Sequence, residues 1–358
     1  MKNCYLQILD HDESNKPIVL ATVTRAIGST PQKPGSSALF GKNGLISGTV
    51  GGGIVEGKIQ ALAMEAALTK ESRHFHFNLA NEISSTEEAI CGGQISVLLD
   101  ANLQNDIQVF EQIKQSFQDR VPGVLITMVI RFTEKTVLIN RYWITEIFKP
   151  SIPEAFLDKI YPVAMSIIRS YDSSDFRELE FSITGEEPSS LFFLEPVFPP
   201  AHLVIAGAGH IGKALAHLGH RLNFDVTIID DRPEYANSEN VPDADHILCS
   251  DVGKAMQEVR KSNDTYVVIV TRGHKDDAAA LKNCIASDMK YIGMIGSAKK
   301  ILAMKNLFIE KSFATPDQWK KLFAPVGLDI QSQTVEEIAI SIAAQLVKVR
   351  NSKNVWEL

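Results

Sequence analysis

A strand-like run, "LVIAG", enters the glycine pattern Gly207-x-Gly209-x-x-Gly212 and leaves it in the helical spacing of "HIGKALAHL". Few folds accept such a passage. The first glycine permits a tight turn, the second lets backbone come close to a phosphate, and the third lets the helix pack on the strand. The amides that open the helix then face an anion. A second apolar run, "VTIIDD", ends at Asp230 and Asp231, about 20 residues on, where a dinucleotide-binding unit carries its ribose-binding acid. Asp230 is read as that acceptor, with Asp231 and Arg232 beside it.

Short apolar runs go on alternating with helical ones: "HILCS", "TYVVIV", "AAALKNCIAS", "YIGMIG". This spacing predicts a parallel sheet covered on both faces, a Rossmann-like doubly wound domain. The loops after its strands fall in the usual ligand crevice. They bring Thr271, Arg272, Gly273 and His274 from one strand end, and Gly296 and Ser297 from another. His210 lies in the glycine loop. Histidine, arginine and carboxylates at one crevice suit acid–base work, so His274 is a candidate catalytic residue. Asp276 and Asp277 read as helix-capping residues, and Lys299 and Lys300 as solvated.

Before the glycine pattern stands "EPVFPPAH", with three prolines in five residues. Such a run is stiff, and we read it as the boundary between domains 1–196 and 197–358. A chain of 358 residues is too long for one ordinary core. The first domain reads as α/β with a mixed sheet. Its strands are "PIVLATVTRA", a hairpin turning at Asn43-Gly44, "RHFHFNL", "QISVLLD" and "GVLITMVIRFTEKTVLIN"; its helices follow Gly53, lie within "DIQVFEQIKQSF" and run near 153–170.

Three loops in this domain ask for a ligand. "GSTPQKPGSS", residues 28–37, holds four hydroxyl side chains and two prolines, more polar groups than a chain reversal needs. Gly28, Ser29, Thr30 and Pro31, with Arg25 nearby, are candidate binding residues. Gly51, Gly52 and Gly53 open a helix and offer amides to an anion, with Glu56 in the first turn suiting the helix dipole. The hairpin between these two loops is short, so it returns one to the other. Cys91, followed by Gly92 and Gly93, sits in a loop where a thiol is accessible for sulfur chemistry, and is the second catalytic candidate. His74 and His76 read as the polar face of a strand.

The charge of −7 and the lack of a basic stripe argue against nucleic acid. No apolar run reaches the roughly 20 residues of a membrane helix. Four cysteines far apart in sequence form neither a disulfide framework nor a zinc pattern, and we expect a cytoplasmic protein.

Taken together, "GSTPQKPGSS", "GTVGGGIVEGKI", "CGGQISV", "LVIAGAGHIGKAL", "VTIIDDRPEYA", "VVIVTRGHKDD", "YIGMIGSAKK" and "APVGLDIQSQTVEEIAISI" resemble the XdhC/CoxI family of xanthine dehydrogenase accessory factors. The match runs nearly the whole length and is weakest over residues 100–195. The resemblance implies a non-catalytic maturation factor. It would carry sulfurated molybdenum cofactor (molybdopterin) to a xanthine dehydrogenase-type molybdenum hydroxylase and work with a cysteine desulfurase. A nucleotide at the Rossmann site and a homo-oligomer are further expectations. Some members have Cys or Ala after the triple glycine; Ile54 stands there in this chain, which shifts any sulfur role toward Cys91. Read from the Rossmann half alone, the alternatives are an NAD(P)-dependent oxidoreductase or an interaction scaffold.

Overall fold

In the computed structural model, which describes residues 4–12, 17–79, 93–131, 136–181 and 190–352, the chain forms two units, Met1–Pro199 and Pro200–Leu358. The first is built around β1, Ile18–Ile27. Its central position follows from its composition, since every side chain but Arg25 is apolar or β-branched, and Val19, Leu20, Ala21, Val23 and Thr24 are buried on one face or the other. β2 (Ser37–Gly41) and β3 (Gly44–Gly48) form the hairpin beside it, and β5 (Gln94–Asp100) and β4 (Arg73–Asn78) continue on its other side. The resulting order is β3-β2-β1-β5-β4. A second sheet, β7-β6-β9-β8, comprises β6 (Gly123–Arg131), β7 (Val137–Thr145), β8 (Arg177–Phe181) and β9 (Ser190–Val197). The α/β class holds, and within it every pair in both sheets is antiparallel rather than mixed.

The layering follows from the alternation of side chains along each strand. Val19, Ala21 and Val23 of β1 pack with Ile95, Val97 and Leu99 of β5 against Ile59, Ala63 and Ala66 of the helix Gly53–Thr69. The other face presents Leu20 and Leu98, which meet Leu125, Val129 and Phe193 of the second sheet. That sheet turns Val124, Ile126 and Phe192 onto the helix Glu154–Ser170. The near-continuous apolar run of β6 is therefore the mark of a strand covered twice. The N-terminal helix Cys4–Asp12 was not legible as a helix: among its residues whose burial is described, Tyr5 and Ile8 are the buried pair, one turn apart. It stacks Tyr5 on Phe110 of the helix Ile107–Gln118.

In the second unit the strands are β10 (His202–Ala206), β11 (Asp225–Asp230), β12 (His246–Cys249), β13 (Thr265–Ile269) and β14 (Tyr291–Met294), in the order β12-β11-β10-β13-β14 and all parallel. Leu203 and Ile205 face the helices His210–Arg221 and Val335–Asn351. Val204 and Ala206 face the helices His274–Lys282 and Ala298–Glu310. This is the doubly wound arrangement expected, and its topological switch point lies between β10 and β13, where ligands bind in such sheets. The stretch "APVGLDIQSQTVEEI" closes the far edge. Phe323 and Val326 bond alongside β14, and Gln345 accepts from the Gly327 amide at 2.9 Å and from Tyr291 Oη at 2.5 Å.

Candidate functional site

The N-terminal loops meet as their sequence suggested. A Cβ on Gly51 would sit 2.9 Å from Pro31 Cγ, and one on Gly93 would sit 2.6 Å from the carbonyl oxygens of Ile27 and Ser29. Close backbone approach thus requires glycine at both places, and it draws loop 28–31, the triple glycine and the start of β5 to one corner of the first sheet. Gly52 and Gly53 have positive φ, 71° and 58°, and a Cβ on either would meet no atom within 4 Å. They line open space. Cys91 and Gly92 lie outside the described residues.

Much of the polar chemistry at this corner is already in use. Glu56 Oε2 accepts from Thr49 Oγ1 at 2.7 Å and from the Val50 and Gly52 amides at 3.3 and 3.4 Å. The chain's own carboxylate therefore sits on amides read as an anion site. Thr30 Oγ1 donates to the Gln32 carbonyl at 3.1 Å, and Ser36 Oγ donates to Gln32 Oε1 at 3.0 Å. These bonds shape the loop. Ser29 is exposed at its tip.

The Rossmann loop has the same character. A Cβ on Gly207 would lie 2.5 Å from the Val270 carbonyl oxygen, and one on Gly212 would overlap the Gly207 carbonyl, whereas Gly209 has nothing within 4 Å. Asp230, read as a ribose acceptor, accepts from the Ala208 amide at 2.8 Å, the Arg232 amide at 3.1 Å, and Arg232 Nε and Nη2 at 2.8 and 2.9 Å. Burial pushes its pKa up, and these bonds more than offset that, leaving it below the ordinary carboxylate value. Both oxygens are occupied, so Asp230 braces the glycine loop in place of offering a free acceptor. Arg232 is held over the Tyr235 ring, 3.8 Å from its centroid, and Asn240 donates to the Ala208 and Tyr235 carbonyls.

Asp231 is exposed and pairs with Arg272 at 3.1 Å. Thr271 Oγ1 lies 2.6 Å from Asp277 Oδ1. Asp277 is fully buried and ion-paired with Lys300, which corrects the reading of Lys300 as a solvated side chain. His210 and His274 are each exposed at the first position of their helices, Gly273 precedes His274 as N-cap, and Ser297 caps the helix that follows Gly296.

A groove that the sequence did not single out lies between the two sheets of the first unit. It has a volume of about 210 Å³ and runs into a second cleft of about 280 Å³ with which it shares Arg25, His76 and Ser96. The ordering signal was local for His74 and His76, which alternate along β4, but Arg131 and Glu178 arrive from the second sheet. His74 Nε2 is 2.9 Å from Thr24 Oγ1, and His76 Nδ1 is 2.8 Å from Ser96 Oγ. Arg25 grips Glu178 with two bonds of 3.1 and 2.7 Å. Burial, and after it the charges of His76, Arg131 and Arg25, hold the His74 pKa down to about 3. His76 is lowered by burial, Arg131 and Arg25. Among the described residues no three His, Cys, Asp or Glu side chains are placed to hold a metal ion, and no helix is long and apolar enough to cross a membrane.

Comparison with known proteins bears on both units. A model described as "XdhC Rossmann domain" matches residues 203–346, and one described as "XdhC and CoxI family" matches residues 11–78; together they take in more than half the chain. A Bacillus subtilis (strain 168) protein named as a probable xanthine dehydrogenase subunit is 25% identical over 346 residues, 94% of each chain. The Escherichia coli (strain K12) "Uncharacterized protein YqeB" is 23% identical over 98% of this chain, which spans only 47% of that protein's length. A solved structure described as a xanthine dehydrogenase from Bacillus halodurans superposes with a TM-score of 0.75 at 24% identity, covering 96% of this chain and 95% of that one. At that identity the likeness is one of fold.

Proposed function

Because the chain belongs to the XdhC and CoxI family, we propose that it is an accessory factor for a xanthine dehydrogenase-type molybdenum hydroxylase, with molybdenum cofactor as its cargo. The names of its relatives support the accessory role. The observation that carries the cargo reading is the convergence of loop 28–31, Gly51 and Gly93, beside two glycines that face open space. A rigid corner of backbone amides and hydroxyls suits the polar edge of a pterin, and its fixed shape lowers the ordering cost of binding. The open position at Gly209 suits a phosphate-bearing group, such as a nucleotide attached to the cofactor. A cysteine desulfurase would supply the terminal sulfur, and Cys91 is the soft ligand proposed to meet it. Occupation of both Asp230 oxygens weighs against the alternative, a dehydrogenase that grips the ribose of NAD(P) through this acid.

The test is anaerobic purification from cells that make molybdenum cofactor, followed by metal and pterin analysis. Molybdenum and pterin should co-purify with the wild-type chain, and a Ser29→Trp variant, which fills the exposed tip of the loop, should lose both. Cys91→Ser should still bind pterin and yet activate an apo hydroxylase less well. Preparations free of pterin that instead reduce NAD(P) with a metabolite would replace this reading with the oxidoreductase one.

A further inference from the structure

The groove of the first unit belongs to none of the glycine motifs, and its polar groups are arranged with a direction. Thr24 Oγ1 donates its one proton to the Ser96 carbonyl at 3.3 Å, so His74 Nε2 is the donor in its bond to Thr24. His76 Nε2 faces Arg131 Nη2 at 3.4 Å. Arginine has only donors, so His76 Nε2 is the acceptor there and its Nδ1 carries the proton given to Ser96 Oγ. The Ser96 hydroxyl is thereby left as a donor toward the groove. Arg131 meets no carboxylate among the described residues. Arg25 does meet one, and in the geometry of oxyanion recognition: both arms of its fork hold the two oxygens of Glu178.

We infer that this groove binds the phosphate dianion of a phosphomonoester, with Arg25 and Arg131 as its cationic arms, the Ser96 hydroxyl as a donor, and Glu178 as an internal anion that the phosphate displaces. One guanidinium released from its carboxylate, Arg25, and a second that holds none among the described residues, Arg131, match two negative charges. The neighbouring cleft, lined by Phe77, Asn78 and Gln94 among others, receives the remainder of the molecule. Among the described residues, the other charged or titratable groups that line the groove with His76 are His74 on β4 and Glu180 on β8, and Glu180 is exposed to solvent. A bound dianion would make His76 easier to protonate, so His76 reports occupancy. The site stands apart from the cargo reading and requires no molybdenum.

The experiment uses the full chain, with phenyl phosphate and inorganic phosphate as probes, titrating by calorimetry and following the His76 ring protons by NMR. Phenyl phosphate should bind more tightly than inorganic phosphate and raise the His76 pKa. Arg25→Gln and Arg131→Gln should each weaken binding by about tenfold. Glu178→Gln should strengthen it, because the competing carboxylate is gone. That opposite sign keeps the test decisive even if an arginine variant folds poorly. No binding of phenyl phosphate by the wild type and Glu178→Gln, weaker binding by Glu178→Gln, or equal affinity for the two probes would overturn the assignment. Phenyl phosphate binding by a protein that never retains pterin would leave the groove standing and remove the cargo; the reverse result would do the opposite.

Discussion

Glu195 of β9 is half-buried between the sheets of the first unit, where its Oε2 accepts from Tyr5 Oη at 2.7 Å. Burial raises its pKa from 4.5 to about 7, while the Tyr5 hydrogen bond and the Arg141 charge pull the other way without prevailing. The consequence for stability has a definite sign. Below 4.5 the carboxyl is neutral in the folded and unfolded chain alike, and burial carries no ionisation penalty. Above about 7 it is ionised in both, and the folded state carries the whole penalty. Stability therefore falls as pH rises from 4.5 to about 7. At about 1.4 kcal/mol per pKa unit the loss is on the order of 3 kcal/mol. Glu195→Gln keeps an acceptor for Tyr5 and removes the charge. Its amide protons bring a fixed cost of about 1–3 kcal/mol if unpaired, but that cost does not vary with pH. The difference in stability between variant and wild type should thus move by about 3 kcal/mol in the variant's favour between pH 4.5 and 8. In differential scanning calorimetry this is a relative shift of roughly 6–12 °C in the transition of the first unit. A difference that stays constant across that range, to within about 0.5 kcal/mol, would refute the reasoning.

Gly212→Ala should destabilise the second unit by more than about 3 kcal/mol, since its Cβ overlaps the Gly207 carbonyl, while Gly209→Ala should stay within about 1 kcal/mol; thermal melts of the two variants decide this. Lys300→Met leaves the Asp277 carboxylate buried without its cation, keeping the Thr271 hydroxyl bond, and should cost about 3–5 kcal/mol, most of which the double variant with Asp277→Asn should recover in a denaturant series. Glu56→Ala strips the cap from the triple-glycine turn and should cost about 1 kcal/mol, read as a lower midpoint of denaturant unfolding.

The elements were legible wherever one residue's neighbours in sequence are also its neighbours in space. Periodicity located β1, the helix after Gly53, the hairpin of β6 and β7, and the whole parallel sheet of the second unit, because alternation and helical spacing are properties of a single segment. Glycine spacing marked the positions where a side chain cannot fit, and Gly51, Gly93, Gly207 and Gly212 are such positions. What the glycines leave unsaid is which group fills the space they make. Glu56 on the amides of the triple glycine and Asp230 on the Ala208 amide are choices of rotamer and partner, decided by packing around them. The polar groove depended still more on tertiary structure. His76 and Arg131 lie 55 residues apart, Arg25 and Glu178 lie 153 apart, and only the stacking of two antiparallel sheets brings them to one surface. A pattern read along one strand carries the face on which a side chain stands; the second sheet alone determines what stands opposite.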